Sequence, residues 1–196
     1  MKKLLALIMV AIIVVMAFAA CGNKNAGGNT PAESTGTTEQ TTTENEGKAE
    51  GNDLSASSPS EIIDLIYAQK SPELKIQTMD VDLSDADAVK SYTGLDDASP
   101  IKEAAASEAL IGSQAYSLVL VRVKDAADAE TVANKMYSGI DPRKWICVEA
   151  DDMNVAYSGD LVMLIMLQSN FENISSEDIV NAFKTVVGTD VTLVSK

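Results

Sequence analysis

Histidine is absent from this sequence of 196 residues, and cysteine occurs only as Cys21 and Cys147. Histidine is the commonest general base and the commonest transition-metal ligand, so its absence removes the usual catalytic triads and many metal sites. Aromatic side chains are also few, with one Trp, five Tyr and three Phe. We therefore predict a protein that is not an enzyme and that holds no catalytic residue, metal ion or cofactor.

Basic residues are scarce as well, because 15 Lys and Arg stand against 29 Asp and Glu. Loss of residues 1–20, which contain Lys2 and Lys3, leaves 13 basic and 29 acidic side chains, a net charge of −16. Nucleic acids and lipid headgroup surfaces are anionic and repel such a chain. We predict no nucleic-acid partner.

The first 22 residues have the pattern of an export signal. Two lysines precede an apolar run from Leu4 to Phe18, which is short for a bilayer span of about 20 residues. The sequence Phe18-Ala19-Ala20-Cys21 resembles the bacterial lipobox, in which Leu is commoner than Phe at the first position. In such signals a diacylglycerol is attached to the cysteine thiol and the signal is removed.

We therefore predict a signal peptide over residues 1–20 and lipid attachment at Cys21. The protein would then be anchored at the extracytoplasmic face of the cell membrane. An uncleaved membrane anchor and a plain signal peptide remain alternatives. With Cys21 acylated, Cys147 has no partner for an intrachain disulfide.

Residues 21–58 are mostly Gly, Asn, Thr, Ser, Glu and Ala, and Leu54 is their only large apolar residue. Such a segment buries too little apolar surface to offset its ordering entropy, which predicts a disordered tether. Its mean reach as a flexible coil is roughly 30–35 Å. The remaining residues, 59–196, are enough for one ordinary domain.

This domain is predicted to be α+β. The apolar segments Ala115–Val123 and Leu161–Gln168 indicate central strands covered on both faces. The order strand, helix, strand, strand, helix, strand predicts a ferredoxin-like antiparallel sheet with helices on one face and an N-terminal helical extension. The other predicted elements are helices after Ser58, Ser84, Asp125 and Ser175, strands at 74–81, 145–149, 154–157 and 191–194, and an ambiguous segment at 103–111.

Two stretches resemble a known family. They are Ser113–Asp125 and Ile140–Ala150, followed by Gly159-Asp160 before an apolar strand. Together with the signal and tether, they are similar to the bacterial lipoprotein family catalogued as domain of unknown function 4358. The resemblance implies an envelope lipoprotein and carries over no activity and no functional residue.

The densest acidic cluster comprises Asp80, Asp82, Asp85 and Asp87. Oxygen-rich clusters suit calcium or magnesium. Compared with the EF-hand loop, however, Asp85 stands where glycine is required and Ser91 where a bidentate glutamate is required. We interpret the cluster as the acidic first turn of a helix capped by Ser84.

A second acidic group, Asp151, Asp152 and Asp160, is predicted to lie across a hairpin. Paired carboxylates act as acid and base in glycoside hydrolysis. Turn formation explains these aspartates more simply. A carboxylate-based envelope hydrolase is kept as an alternative function, because it would use such a pair of carboxylates.

The run Arg143-Lys144-Trp145 is the candidate ligand-binding site, because it joins two cations and the only Trp in an acidic domain. The simpler interpretation is that Trp145 packs under a helix while the cations pair with nearby aspartates. Cys147 lies on the same predicted strand face and is expected to be buried and inert.

The combined prediction is a non-catalytic binding or interaction module of the cell envelope, anchored to the membrane through Cys21. An envelope protein or a small molecule could be its partner. A solute-capture accessory of a transporter is an alternative, and it would require a pocket near Arg143 and Trp145.

Overall fold

The computed structural model describes residues 51–194. The predicted signal peptide, Cys21 and most of the predicted tether lie outside this range. The described elements are helices α1 (Pro59–Gln69), α2 (Ala86–Thr93), α3 (Ala129–Gly139) and α4 (Ser176–Val187), and strands β1 (Ile76–Asp80), β2 (Ile101–Ala109), β3 (Tyr116–Val123), β4 (Asp152–Ser158), β5 (Leu161–Leu167) and β6 (Thr192–Leu193).

The six strands form one sheet in the order β1-β2-β3-β5-β4-β6, and every neighbouring pair is antiparallel. All positions of β3 and β5 are buried, and these strands occupy the centre. The predicted α+β class, the antiparallel sheet and the two central strands are therefore confirmed.

The strand order differs from the ferredoxin-like prediction at the last strand. In that arrangement β6 would pair with the outer edge of β3, but β2 already occupies this edge. The ambiguous segment 103–111 thus contributes a strand, and β6 pairs with β4 instead. The prediction treated the edge of β3 as free because it did not assign β2.

The observed position of β6 also means that α3 and α4 lie on opposite faces of the sheet, whereas the prediction placed both on one face. The connections β3–α3–β4 and β5–α4–β6 each skip one strand in the same direction across the sheet, while β3 and β5 run antiparallel. Crossovers of one hand must then lie on opposite faces. Helices α2 and α3 pack on one face, and α1 and α4 pack on the other, so helices do not lie on one face alone.

Burial on both faces explains the unbroken apolar sequence of the central strands. Alternate side chains of β5 point to opposite helix layers. Val162, Leu164 and Met166 belong to the core under α2 and α3, and Met163, Ile165 and Leu167 belong to the core under α1 and α4. No polar face is left for solvent along this strand.

The folded domain begins before residue 59. Ser58, after which a helix was predicted, forms a capping box with Glu61 at the start of α1. Upstream of it, Asn52 donates from its backbone N–H to the Val187 carbonyl (2.8 Å) and from its side chain to the Val186 carbonyl (2.8 Å). Residues 51–58 are therefore fixed by bonds to the end of α4, which a composition-based prediction of a tether up to Ser58 does not reveal.

The segment 145–149 was predicted as a strand, but it lies in the connection between α3 and β4 and forms no strand. Cys147 has a φ of 67°, in the left-handed region that non-glycine residues rarely adopt. A single residue in this conformation breaks the extended backbone that a strand requires. A smaller difference concerns α2, which Asp85 caps in place of Ser84.

Candidate functional site

The domain has two poles, defined by the ends of the sheet. The proximal pole contains residues 51–58 and the β4–β5 turn around Gly159. The distal pole contains the four loops 70–75, 110–115, 140–151 and 168–175, because β1 and β4 start there and β2 and β5 end there. Strands of seven to nine residues separate the poles by roughly 25 Å.

A buried arginine organises the proximal pole. The Arg122 side chain donates from Nε to Glu103 (2.8 Å) and from Nη1 to Asp160 (2.7 Å). Its Nη2 donates to the carbonyls of Leu54 (2.9 Å) and Ser57 (2.8 Å). The planar guanidinium thus ties the segment 51–58 to β2, β3 and the β4–β5 turn.

A cleft of about 650 Å³ lies beside this arginine, between residues 51–55, the β4–β5 turn and Thr189. Two carboxylates already neutralise the charge of Arg122. The cleft therefore has little attraction for an anion. Its contacts fit a structural role, which is to fix the point where the chain enters the domain.

A second buried cation lies at the distal pole. The Lys144 side chain is 11 % exposed and forms an ion pair with Glu108. Its Nζ also donates to the Ser117 hydroxyl (3.1 Å) and lies 5.3 Å from the ring centres of both Tyr92 and Trp145. Burial lowers the pKa of Lys144, while the Glu108 carboxylate opposes that shift.

The three residues of the predicted ligand site therefore point to different places. Arg143 is exposed and donates from Nε to Glu149 (2.6 Å) within the same loop. Lys144 turns into the domain, and Trp145 packs partly buried against the core under α2 and α3. Five clefts of the described domain are all lined by other residues. The geometry matches the simpler interpretation, in which Trp145 packs against the core and the two cations form ion pairs. The partners of the cations are glutamates, however, and not the aspartates that were expected.

Cys147 is exposed, so the expectation of a buried thiol is wrong. Ile146 beside it is 82 % exposed, and Leu110 and Ile111 in the β2–β3 turn are 59 % and 48 % exposed. Single exposed apolar residues are ordinary on protein surfaces. Here three of the five exposed large apolar side chains of the described domain belong to loops of one pole, which is typical of an interaction surface.

The acidic cluster of α2 has local partners. Asp82 accepts from the backbone N–H (2.9 Å) and hydroxyl (2.7 Å) of Ser84, and these bonds hold the pKa of Asp82 below its usual value. Asp85 accepts from the backbone of Asp87 (3.0 Å) and caps the helix. Across residues 51–194, no group of three or more Cys, Asp or Glu side chains could hold a metal ion.

The second acidic group does not converge. Asp151 accepts from the backbone N–H (2.6 Å) and hydroxyl (2.8 Å) of Ser169 at the distal pole, where Asp152 bonds the start of α4. Asp160 pairs with Arg122 at the proximal pole. Strand β4 separates the two places by roughly 20 Å. Asp160 therefore cannot act together with Asp151 or Asp152 on one bond.

Sequence reasoning singled out Lys144 but missed Arg122, Glu108 and Ser117. Arg122 had a signal, because it is the one charged residue inside the apolar run 116–123. A charge in a strand covered on both faces requires a buried partner. Glu108 and Ser117 gave no such signal, since their meeting with Lys144 depends on the register of β2 and β3.

Comparisons with protein-family models, with curated proteins and with solved structures find no match. The resemblance to the lipoprotein family therefore rests on the sequence alone, on the two stretches, Gly159-Asp160, the signal and the tether. Among the helices of residues 51–194, none combines the length and the apolar character that crossing a bilayer demands.

Proposed function

We propose that this protein is a lipid-anchored lipoprotein of the bacterial envelope whose domain binds a protein partner through its distal pole. The lipobox-like sequence ending at Cys21 supports the anchor. The observation that carries the binding role is the separation of the two poles. The chain enters the domain at the proximal pole, and the exposed apolar side chains lie at the distal pole.

The geometry favours a protein over a solute as the partner. Small-molecule sites are concave and enclose most of their ligand. Ile146, Leu110 and Ile111 instead project from loops, and protein interfaces use exposed apolar side chains of this kind. A chain that enters at the proximal pole presents these side chains on the side away from its point of attachment.

We infer that the domain is non-catalytic. Asp160 lies at the opposite pole from Asp151 and Asp152, which each accept hydrogen bonds from a serine. The buried Lys144 is engaged by Glu108. The solute-capture alternative keeps one feature in its favour. A cleft of about 520 Å³ between Lys70, Glu73 and Phe171 has the size of a ligand site. Thermal shifts of the domain with a panel of metabolites would reveal such binding.

The anchor is tested with Cys21→Ser. The unaltered chain should incorporate radiolabelled fatty acid and fractionate with membranes, because two acyl chains anchor durably. The variant should lose the label and appear in the soluble fraction. Retention of the unlabelled variant in membranes would instead support an uncleaved anchor.

The binding surface is tested by crosslinking in intact cells. Ile146, Leu110 and Ile111 are replaced together by serine in the anchored chain. The matched control replaces Leu65 and Leu193, whose exposure of 43 % and 50 % is close to that of Leu110 and Ile111 but which lie outside the four loops of the distal pole. We expect the triple variant to lose its protein crosslinks about tenfold or more, and the control to keep them. If both variants retain their crosslinks equally, the proposal that the partner binds through the distal pole is refuted.

A further inference from the structure

The α3–β4 connection, residues 140–151, is called the distal loop. It carries Ile146 and Cys147 but has no helix or strand of its own. We propose that the ion pair of Lys144 with Glu108 is a latch that fixes the distal loop in one conformation and thereby presents Ile146. The consequence for partner binding rests on the proposed function, whereas the latch itself does not.

The ammonium group of Lys144 joins the loop to three separate elements. It pairs with Glu108 of β2, donates to the Ser117 hydroxyl of β3 (3.1 Å) and donates to the Ser91 carbonyl of α2 (3.5 Å). An ammonium has three N–H groups, and this arrangement gives each of them an acceptor. Ser117 in turn donates to Glu108 (3.0 Å), so the acceptors are themselves held in place.

The other ionic contact of the loop does not attach it to the domain. Arg143 and Glu149 pair with each other inside the loop, and both side chains are exposed. Trp145 and Val148 pack against the core only in part, and the buried residues Ile140 and Ala150 hold the two ends. Lys144 is therefore the buried polar contact in the middle of the loop.

The backbone at Cys147 gives the latch a physical consequence. A non-glycine residue with a φ of 67° persists only where its surroundings enforce that conformation. If Lys144 loses its partner, a buried charge is left uncompensated. Both effects favour release of the loop, and release would move Ile146 away from a fixed position.

The latch is tested with Glu108→Gln in the full chain carrying Cys21→Ser. This substitution leaves the loop sequence unchanged and removes only the charge that Lys144 faces. We expect amide hydrogen exchange of residues 141–149, and trypsin cleavage after Arg143, to rise about tenfold or more. This loop exchange should be nearly independent of low urea concentrations, as for a local opening, whereas exchange in β3 and β5 should keep the strong urea dependence of global unfolding.

The matched control is Glu149→Gln, which makes the same chemical change in the exposed pair. It should leave the exchange of the loop unchanged. Unchanged loop exchange in Glu108→Gln would overturn the latch. Loop exchange that follows the same urea dependence as exchange in β3 and β5 would overturn it too, because the loop would then open only when the whole domain unfolds.

A milder variant guards against loss of the fold. Ser117→Ala removes one acceptor of Lys144 and should raise loop exchange about threefold. If Glu108→Gln does not fold, the result with Ser117→Ala decides, and an unchanged loop there refutes the latch.

Crosslinking of Glu108→Gln in intact cells separates the two proposals. Loss of the crosslinks together with loop release supports both. If the loop is released but the crosslinks are retained, the latch proposal stands. The proposal that the distal loop takes part in partner binding is then refuted. A loop that is not released refutes the latch, whatever the crosslinks show.

Discussion

The two poles each contain a buried cation, but the cations are satisfied in different ways. Arg122 bonds two carboxylates and two backbone carbonyls through a planar group with fixed geometry. Lys144 faces one carboxylate, a hydroxyl, one backbone carbonyl and two aromatic rings through a compact ammonium on a flexible stem. Arg122 lies in the central strand β3 and ties three other segments to it, whereas Lys144 lies in a loop and ties that loop to β2, β3 and α2. This difference predicts a global role for Arg122 and a local role for Lys144.

The largest effect is expected at Arg122. Arg122→Met leaves Asp160 without its cation and Glu103 with only the exposed Lys102, 3.9 Å away. The carbonyls of residues 54 and 57 lose their donor. We expect the free energy of unfolding in urea to fall by about 3–5 kcal/mol. Lys124→Met, two residues along the chain, removes an exposed lysine that bonds one carbonyl and should cost less than about 1 kcal/mol. Equal losses would show that the buried network contributes little.

The second prediction compares breaking the distal pair with replacing it. Lys144→Met alone leaves Glu108 half-buried and without its cation, and we expect a loss of about 3 kcal/mol. The double variant Lys144→Met, Glu108→Leu has no uncompensated charge and should recover most of that loss. Urea unfolding of both variants measures the difference. A double variant as unstable as the single one would mean that the ion pair itself stabilises the domain.

The third prediction concerns alkaline pH. Burial lowers the pKa of Lys144, so between this lowered pKa and the ordinary value near 10.5 the unfolded chain holds a proton that the native chain has lost. Stability contributed by this group should therefore rise with pH in that window. The raised pKa values of Tyr67, Tyr92 and Tyr116 act in the opposite sense above about pH 10.

Unfolding free energies from pH 8 to 10 measure this effect against Lys144→Met as the reference. The unaltered chain should gain stability relative to that variant as the pH rises, and Arg122→Met should show the same gain. An identical pH dependence in the unaltered chain and in Lys144→Met would contradict the prediction.

Local features of the fold were predictable from the sequence. The capping box of α1 involves residues three positions apart, and the apolar runs of β3 and β5 directly indicate burial on both faces. The sheet order was not predictable, because it depends on whether segment 103–111 pairs with β3. Alanines suit a helix by propensity, yet in β2 they pack as small side chains between two helix layers.

The candidate site was predictable in composition but not in geometry. The sequence places Lys144 beside Trp145, and the structure retains that contact. The sequence does not show that Arg143 turns outward, since a left-handed residue at 147 replaces the predicted strand and its alternation of faces. The partners Glu108 and Ser117 lie 36 and 27 residues before Lys144, and only the register of two strands brings them to it.

The smallest expected effect isolates the strain in the distal loop. Glycine adopts positive φ without steric cost, so Cys147→Gly should stabilise the domain by about 0.5–1 kcal/mol. Ile146→Gly changes the adjacent exposed residue, which does not have a positive φ, and should be neutral or destabilising by a few tenths of a kcal/mol. Urea unfolding of both variants provides the comparison. If Cys147→Gly also weakens the response of the loop to Glu108→Gln, the strain at residue 147 drives release. If the response is unchanged, the uncompensated Lys144 alone does so.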